Sequence, residues 1–222
     1  MKLVITVFTL LLLCSSTASA EQINLPKDAA GWTVFAPSVD STLVYVSESG
    51  SDSGANACVG YLPSDPLIGT NPFNPSGAVK PCATVAQALT LTHNNMPDYI
   101  LFKRGETFTG SISIMRGGRS SSQPSVIGSY GSAGPPPVIK VANGEDSYGF
   151  WIKYKKYIGV FGLDFYAYQR DPATADYLAV SSAGGFYISG SPDVLTDGIL
   201  VEGCIFRMFY INHIAGYSNT DT

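Results

Sequence analysis

From Tyr99 to the end the chain alternates short apolar runs with Gly, Asn and Ser, the pattern of many brief strands joined by tight corners. Residues 21–82 have another texture. They are irregular, with one clear strand over Thr42–Val46, the turn Ser49–Gly54 and a loop punctuated by Pro63, Pro66, Pro72, Pro75 and Pro81. One helix is predicted over Thr84–Leu91, where Val85, Ala88 and Leu89 share a face. The first twenty residues read as an export leader, with Met1-Lys2, an apolar run Leu3–Leu13 and small residues Ala18-Ser19-Ala20 before an expected cut after Ala20. That run is shorter than a bilayer-spanning helix, and no other stretch approaches the length.

An internal repeat organises the second part. Gly149-Phe150-Trp151-Ile152 recurs as Gly185-Phe186-Tyr187-Ile188, at an offset of 36 residues. Ile158–Phe165 recurs as Ile199–Phe206, at an offset of 41. A five-residue insertion, Ser189-Gly190-Ser191-Pro192-Asp193, accounts for the difference. A strand-only unit of this size predicts a β-solenoid. Alternation places Ile158, Val160, Leu163 and Phe165 inward in one turn, with Gly162 as a corner. Ile199, Val201, Cys204 and Phe206 take the same positions in the next, so Val160 should lie beside Val201 and Phe165 beside Phe206. Outward positions then hold Phe161, Asp164 and Tyr166, followed by Glu202, Ile205 and Arg207. The expected segments are a leader (1–20), an N-terminal strand, loop and helix (21–95), and stacked coils (96–222).

Several stretches carry a resemblance. Tyr45–Asp52 is similar to the opening strand and turn of secreted right-handed parallel β-helix proteins of the pectate-lyase-like group. Pro81–Leu89 is similar to their P-x-x-T-x-x-x-A capping helix, and Asp98–Phe108 and Pro124–Gly131 resemble their first coils. The resemblance implies an all-β, right-handed parallel β-helix with an N-terminal capping α-helix. The group includes lyases, epimerases, glycosidases and proteins without catalysis. Its enzymes form longer stacks, so the chain also resembles an N-terminal portion of one or a small non-enzymatic relative.

Composition narrows the function. A net charge of -4 argues against a nucleic-acid partner. Export makes a Cys58–Cys82 disulfide the expected pairing, the alternative being separate thiols; Cys204 is left over as a buried, inert thiol. No zinc spacing is present, and no G-x-S-x-G, P-loop, G-x-G-x-x-G or H-E-x-x-H motif occurs.

In the group's lyases a basic side chain removes the proton beside a uronate carboxylate, which calcium or a cation neutralises. The resemblance therefore draws attention to Lys153 and Arg170 as bases, with Lys155 and Lys156 nearby, and to Asp164 and Asp171 as calcium ligands. The alternative for the lysines is a solvated turn. Outward Trp151, Phe161, Tyr166 and Tyr168 could stack on sugar rings or pack beneath loops such as 169–184. Asp52 offers a single carboxylate for calcium in its turn, where a plain turn is the alternative. Two functions follow. One is an enzyme acting on polysaccharide, a polyuronate lyase or a glycoside hydrolase. The other is a non-catalytic glycan-binding or adhesion module. Either would be a secreted or periplasmic monomer.

Overall fold

The computed structural model describes residues 21–114, 116–142, 147–179, 183–190 and 196–217. They form thirteen strands: β1 Leu43–Val46, β2 Tyr99–Lys103, β3 Thr107–Thr109, β4 Ile112–Ile114, β5 Ser125–Tyr130, β6 Val138–Lys140 and β7 Ser147–Lys153. After these come β8 Lys156–Phe161, β9 Asp164–Tyr166, β10 Ala183–Ser189, β11 Asp197–Glu202, β12 Ile205–Arg207 and β13 Ile211–Tyr217. Among the described residues the one α-helix is α1, Val85–Thr90. Sheet 1 has the order β1-β2-β5-β8-β11, sheet 2 the order β12-β9-β6-β3 and sheet 3 the order β13-β10-β7-β4. Every strand pairing in the three sheets is parallel. The chain therefore visits sheets 1, 2 and 3 in the same order four times, an all-β arrangement compatible with a β-solenoid.

The repeat sets the register. Val160 pairs with Val201, Phe165 with Phe206 and Phe150 with Phe186, as the matched segments require. Equivalent apolar side chains stack from one turn to the next. Phe150 and Phe186 lie 4.9 Å apart at 12°, and Phe165 and Phe206 lie 5.1 Å apart at 12°. The two stacks meet edge to face, with Phe150 and Phe165 at 6.0 Å and 82°. A glycine at positive φ follows the sheet 1 strand in all four turns: Gly105 (80°), Gly131 (102°), Gly162 (64°) and Gly203 (61°). The left-handed backbone needed for this corner strains a residue that carries a Cβ.

Sheet 1 is buried on both faces along β1, β2 and β5, which explains their nearly unbroken apolar runs. Its inner side chains, such as Val44, Ile100 and Ile127, join the central core. Its outer ones, among them Leu43, Tyr45, Tyr99, Leu101 and Val126, form a second core with Phe35, Tyr61 and Ile68 from residues 21–82. The irregular N-terminal part is thus the outer cover of one sheet. Alternation alone could not foresee this, because an outward position counts as solvent until something distant in sequence covers it. Phe161 is the clearest case. Its outward ring stacks on Phe35 at 4.8 Å and meets Phe73 at 5.4 Å. It also lies across Gly128, where a Cβ would fall 2.2 Å from the ring.

The predicted helix is present. Thr84 caps it by accepting from Gln87 N at 3.2 Å, Ala88 is fully buried, and Val85 and Leu89 pack on the central core. The turn Ser49–Gly54 has a structural role. Asp52 accepts from Ala83 N at 2.7 Å, Thr84 N at 3.2 Å and Thr84 Oγ1 at 2.7 Å, tying the turn to the start of α1. Cys58 and Cys82 form a disulfide across a sequence separation of 24, and Cys204 is free. Asp52 lies close to both sulfurs, but sulfurs joined to each other are not available as thiolate ligands. Among the described residues no helix is long and apolar enough to cross a membrane. The expected leader 1–20, the 191–193 part of the expected insertion and the C-terminal residues 218–222 lie outside the described residues.

Candidate functional site

A groove of about 760 Å³ lies over the corner between sheets 1 and 2. Its walls are the N-terminal strap Trp32–Pro37 and the loop around Gly69–Phe73; its floor is Phe161-Gly162 and Glu202-Gly203 from successive turns. The strap is held in place locally. Asp28 Oδ1 accepts from the amides of Ala30 and Trp32 at 2.9 Å each, and Val34 N donates to Pro26 O at 2.9 Å. The loop is held by Asn71, whose Oδ1 accepts from Phe73 N at 3.0 Å, and by Tyr45, whose hydroxyl donates to Pro72 O at 2.7 Å.

Trp32 stands 53% exposed on one lip. Its ring passes 3.9 Å from where a Cβ on Gly203 would be. Glu202 is the single ionisable side chain among the lining residues. Its carboxylate accepts from Thr33 N at 3.1–3.2 Å and pairs with Lys27 Nζ at 3.5 Å. The arrangement offers aromatic and apolar surface with a few polar atoms, and no second acid or base to pass a proton.

The residues singled out from the sequence lie elsewhere, in two groups. On the outer face of sheet 2, register aligns Thr109, Lys140, Tyr166 and Arg207 in one row. Arg207 makes a two-pronged ion pair with Asp164, at 2.8 Å for each bond, and lies 4.3 Å over the Tyr166 ring. The Tyr166 hydroxyl donates to Asp171 Oδ2 at 2.6 Å. That hydrogen bond, with one from Ala173 N, holds the Asp171 carboxyl below its ordinary value. Burial first, then the Asp171 hydrogen bond, pushes the Tyr166 phenol up. The Asp164 hydrogen bond pushes the Arg207 guanidinium up further. Lys140 Nζ sits 5.0 Å over the Tyr168 ring. Arg170 Nε donates to Met208 O at 2.8 Å, with its guanidinium 5.6 Å over Tyr210. Asp164 and Asp171 are therefore each engaged by cations or donors of the chain itself.

Lys153 and Trp151 form the second group, on sheet 3. Trp151 lies beside Tyr148 and Tyr187 at 5.8 and 6.0 Å, and Lys153 Nζ is 5.6 Å from the Trp151 ring and 5.3 Å from the Tyr154 ring. Lys153 closes β7 beside Ser189 at the end of β10, whereas Arg170 sits in the turn before β10 begins. A seven-residue strand of about 20 Å lies between these two ends. The structure joins Tyr166 to Asp171 and Trp151 to Lys153; it does not bring Lys153 and Arg170 together. Trp32, Phe73 and Glu202 were missed because they belong to segments that look unrelated in sequence. The one available signal was a tryptophan in a polar, Gly-containing turn, Asp28–Thr33. Comparisons of the chain with family models, with curated proteins and with solved structures each find no match.

Proposed function

We propose that the chain is an exported right-handed parallel β-helix of the pectate-lyase-like kind that binds polysaccharide in the groove beside Trp32. The fourfold visit to three parallel sheets supports the β-helix part. The packing of Val85, Ala88 and Leu89 on the central core supports a capping role for α1, because the first turn of a solenoid otherwise exposes apolar interior and strand edges. The observation that carries the binding function is a half-exposed tryptophan on the lip of an aromatic-walled groove whose one carboxylate is already paired. Flat aromatic surface suits the C–H face of a pyranose ring. With Glu202 paired to Lys27 and no cationic side chain among its lining residues to meet a carboxylate, the groove favours a neutral sugar over a uronate.

Affinity electrophoresis on neutral glucans, polygalacturonate and alginate tests this. Retardation on a neutral glucan is expected, weakened tenfold or more by Trp32→Ala, a loss of about 1.4 kcal/mol or more. Tyr166→Ala and Trp151→Ala should bind as the parent does. Retardation unaffected by Trp32→Ala would remove the groove from consideration. Calcium-dependent growth of ultraviolet absorbance on a polyuronate, abolished by Lys153→Ala or Arg170→Ala, would replace binding with lyase chemistry.

A further inference from the structure

We propose that removal of the leader after Ala20 completes a structural ion pair, in which the new α-ammonium of Glu21 closes onto Asp197 and fastens the start of the processed chain to the fourth turn. The inference rests on the export signal, Ala18-Ser19-Ala20 ahead of Glu21, and is independent of the sugar groove. Residue 21 is exposed but held by several groups. Its nitrogen donates to Asp197 Oδ2 at 2.9 Å. Its carboxylate accepts from Ser121 Oγ at 2.8 Å and from the Tyr157 hydroxyl at 2.6 Å. Its carbonyl oxygen lies 3.2 Å from where a Cβ on Gly198 would be, and Gly198 has φ +64°. The next contact follows at once, Asn24 N donating to Ser121 O at 2.9 Å. Three segments distant in sequence, the loop after β4, β8 and β11, thus converge on one residue at the expected cleavage point.

Hydrolysis by a leader peptidase adds water across the Ala20–Glu21 amide. Ala20 leaves with the carboxylate, and the Glu21 nitrogen, once an amide with a single hydrogen, becomes a charged group with three. The 2.9 Å contact to Asp197 is then a charge-assisted hydrogen bond, stronger than its neutral precursor. The nitrogen's partner is Asp197, and the titratable and charged groups that act on the neighbouring Glu21 carboxylate are Tyr157, Asp197 and Lys156. The strap beginning here is fixed again by Thr33 and Lys27 on Glu202, in the same strand as Asp197. Processing would therefore clamp β11 from both ends.

The test uses the exported protein. N-terminal sequencing and intact mass should show a chain starting at Glu21. Thermal unfolding is then compared for the processed chain, a form carrying one extra Gly before Glu21, Asp197→Asn, and the two changes combined. Each single change should lower Tm by a few degrees, and the combination by no more than the larger of them. An ammonium gaining an anionic partner has a raised pKa in the folded state. Its stabilisation is complete below the free-amine value of about 8 and is lost as pH rises through the folded value. The Asp197-dependent difference should therefore be present at pH 6 and fade in the alkaline range. A mature chain starting elsewhere, strictly additive effects, or a pH-independent difference would each overturn the proposal. If Asp197→Asn does not fold, the extended form and its pH series decide.

Discussion

Truncating Phe165 and Phe206, separately and together, would test whether the stacked parallel sheets are held by ring stacks running across successive turns. Phe165 is fully buried, stacked on Phe206 at 5.1 Å and edge-on to Phe150 at 6.0 Å. Phe165→Ala leaves a cavity in the third turn and should cost about 3–5 kcal/mol, or roughly 6–20 °C in Tm for a chain of this size. Phe206 occupies the same inward position one turn later but is only partly buried, since no further strand follows β12 in sheet 2 among the described residues. Phe206→Ala should therefore cost less, about 1–3 kcal/mol. The double variant should fall short of the sum by about 0.5–1.5 kcal/mol, the direct coupling of an aromatic pair. Urea denaturation followed by circular dichroism measures all three. Equal costs for the two single variants, or strict additivity, would refute the picture of a core that closes progressively from the last turn inward.

Thiol counting on the unreduced mature protein should find one free thiol, Cys204, since Cys58 and Cys82 are joined. Burial pushes the Cys204 thiol up to about 11, so it should react slowly with alkylating reagents at pH 8 until the chain is unfolded. Replacing both Cys58 and Cys82 by Ala should cost about 3.5 kcal/mol in loop-closure entropy for a separation of 24, read as a lower urea midpoint. Burial works to raise the Asp52 carboxyl, but the Thr84 hydroxyl and the amides of Ala83 and Thr84 outweigh it and hold the group below its ordinary value. The stability it contributes is present above about pH 4 and lost as pH falls through the folded value. The acid limb of a stability–pH curve should therefore flatten in Asp52→Asn, and an unchanged limb would count against that role.

The sequence alone determined the repeat and everything local to it. A strand, a glycine corner and another strand recurring at Ile158–Phe165 and Ile199–Phe206 specify which side chains face inward and which pairs stack, because strand periodicity and a positive-φ corner leave no freedom in either. The helix was legible for the same reason, its cap and apolar face lying within eight residues. Tertiary structure decided what covers the outward positions. Phe161 faces away from the central core, yet whether it meets solvent, sugar or protein depends on Phe35 and Phe73, which lie 126 and 88 residues earlier. Asp164 has the composition of a metal ligand but answers Arg207 in the next turn, and Asp171 answers Tyr166. Beyond the tryptophan of the Asp28–Thr33 turn the groove has no sequence signature, since its walls come from the strap and the proline-rich loop and its floor from two turns. Periodicity reports the direction of a side chain relative to its own strand. What that side chain meets is set by segments brought close only when the chain has folded.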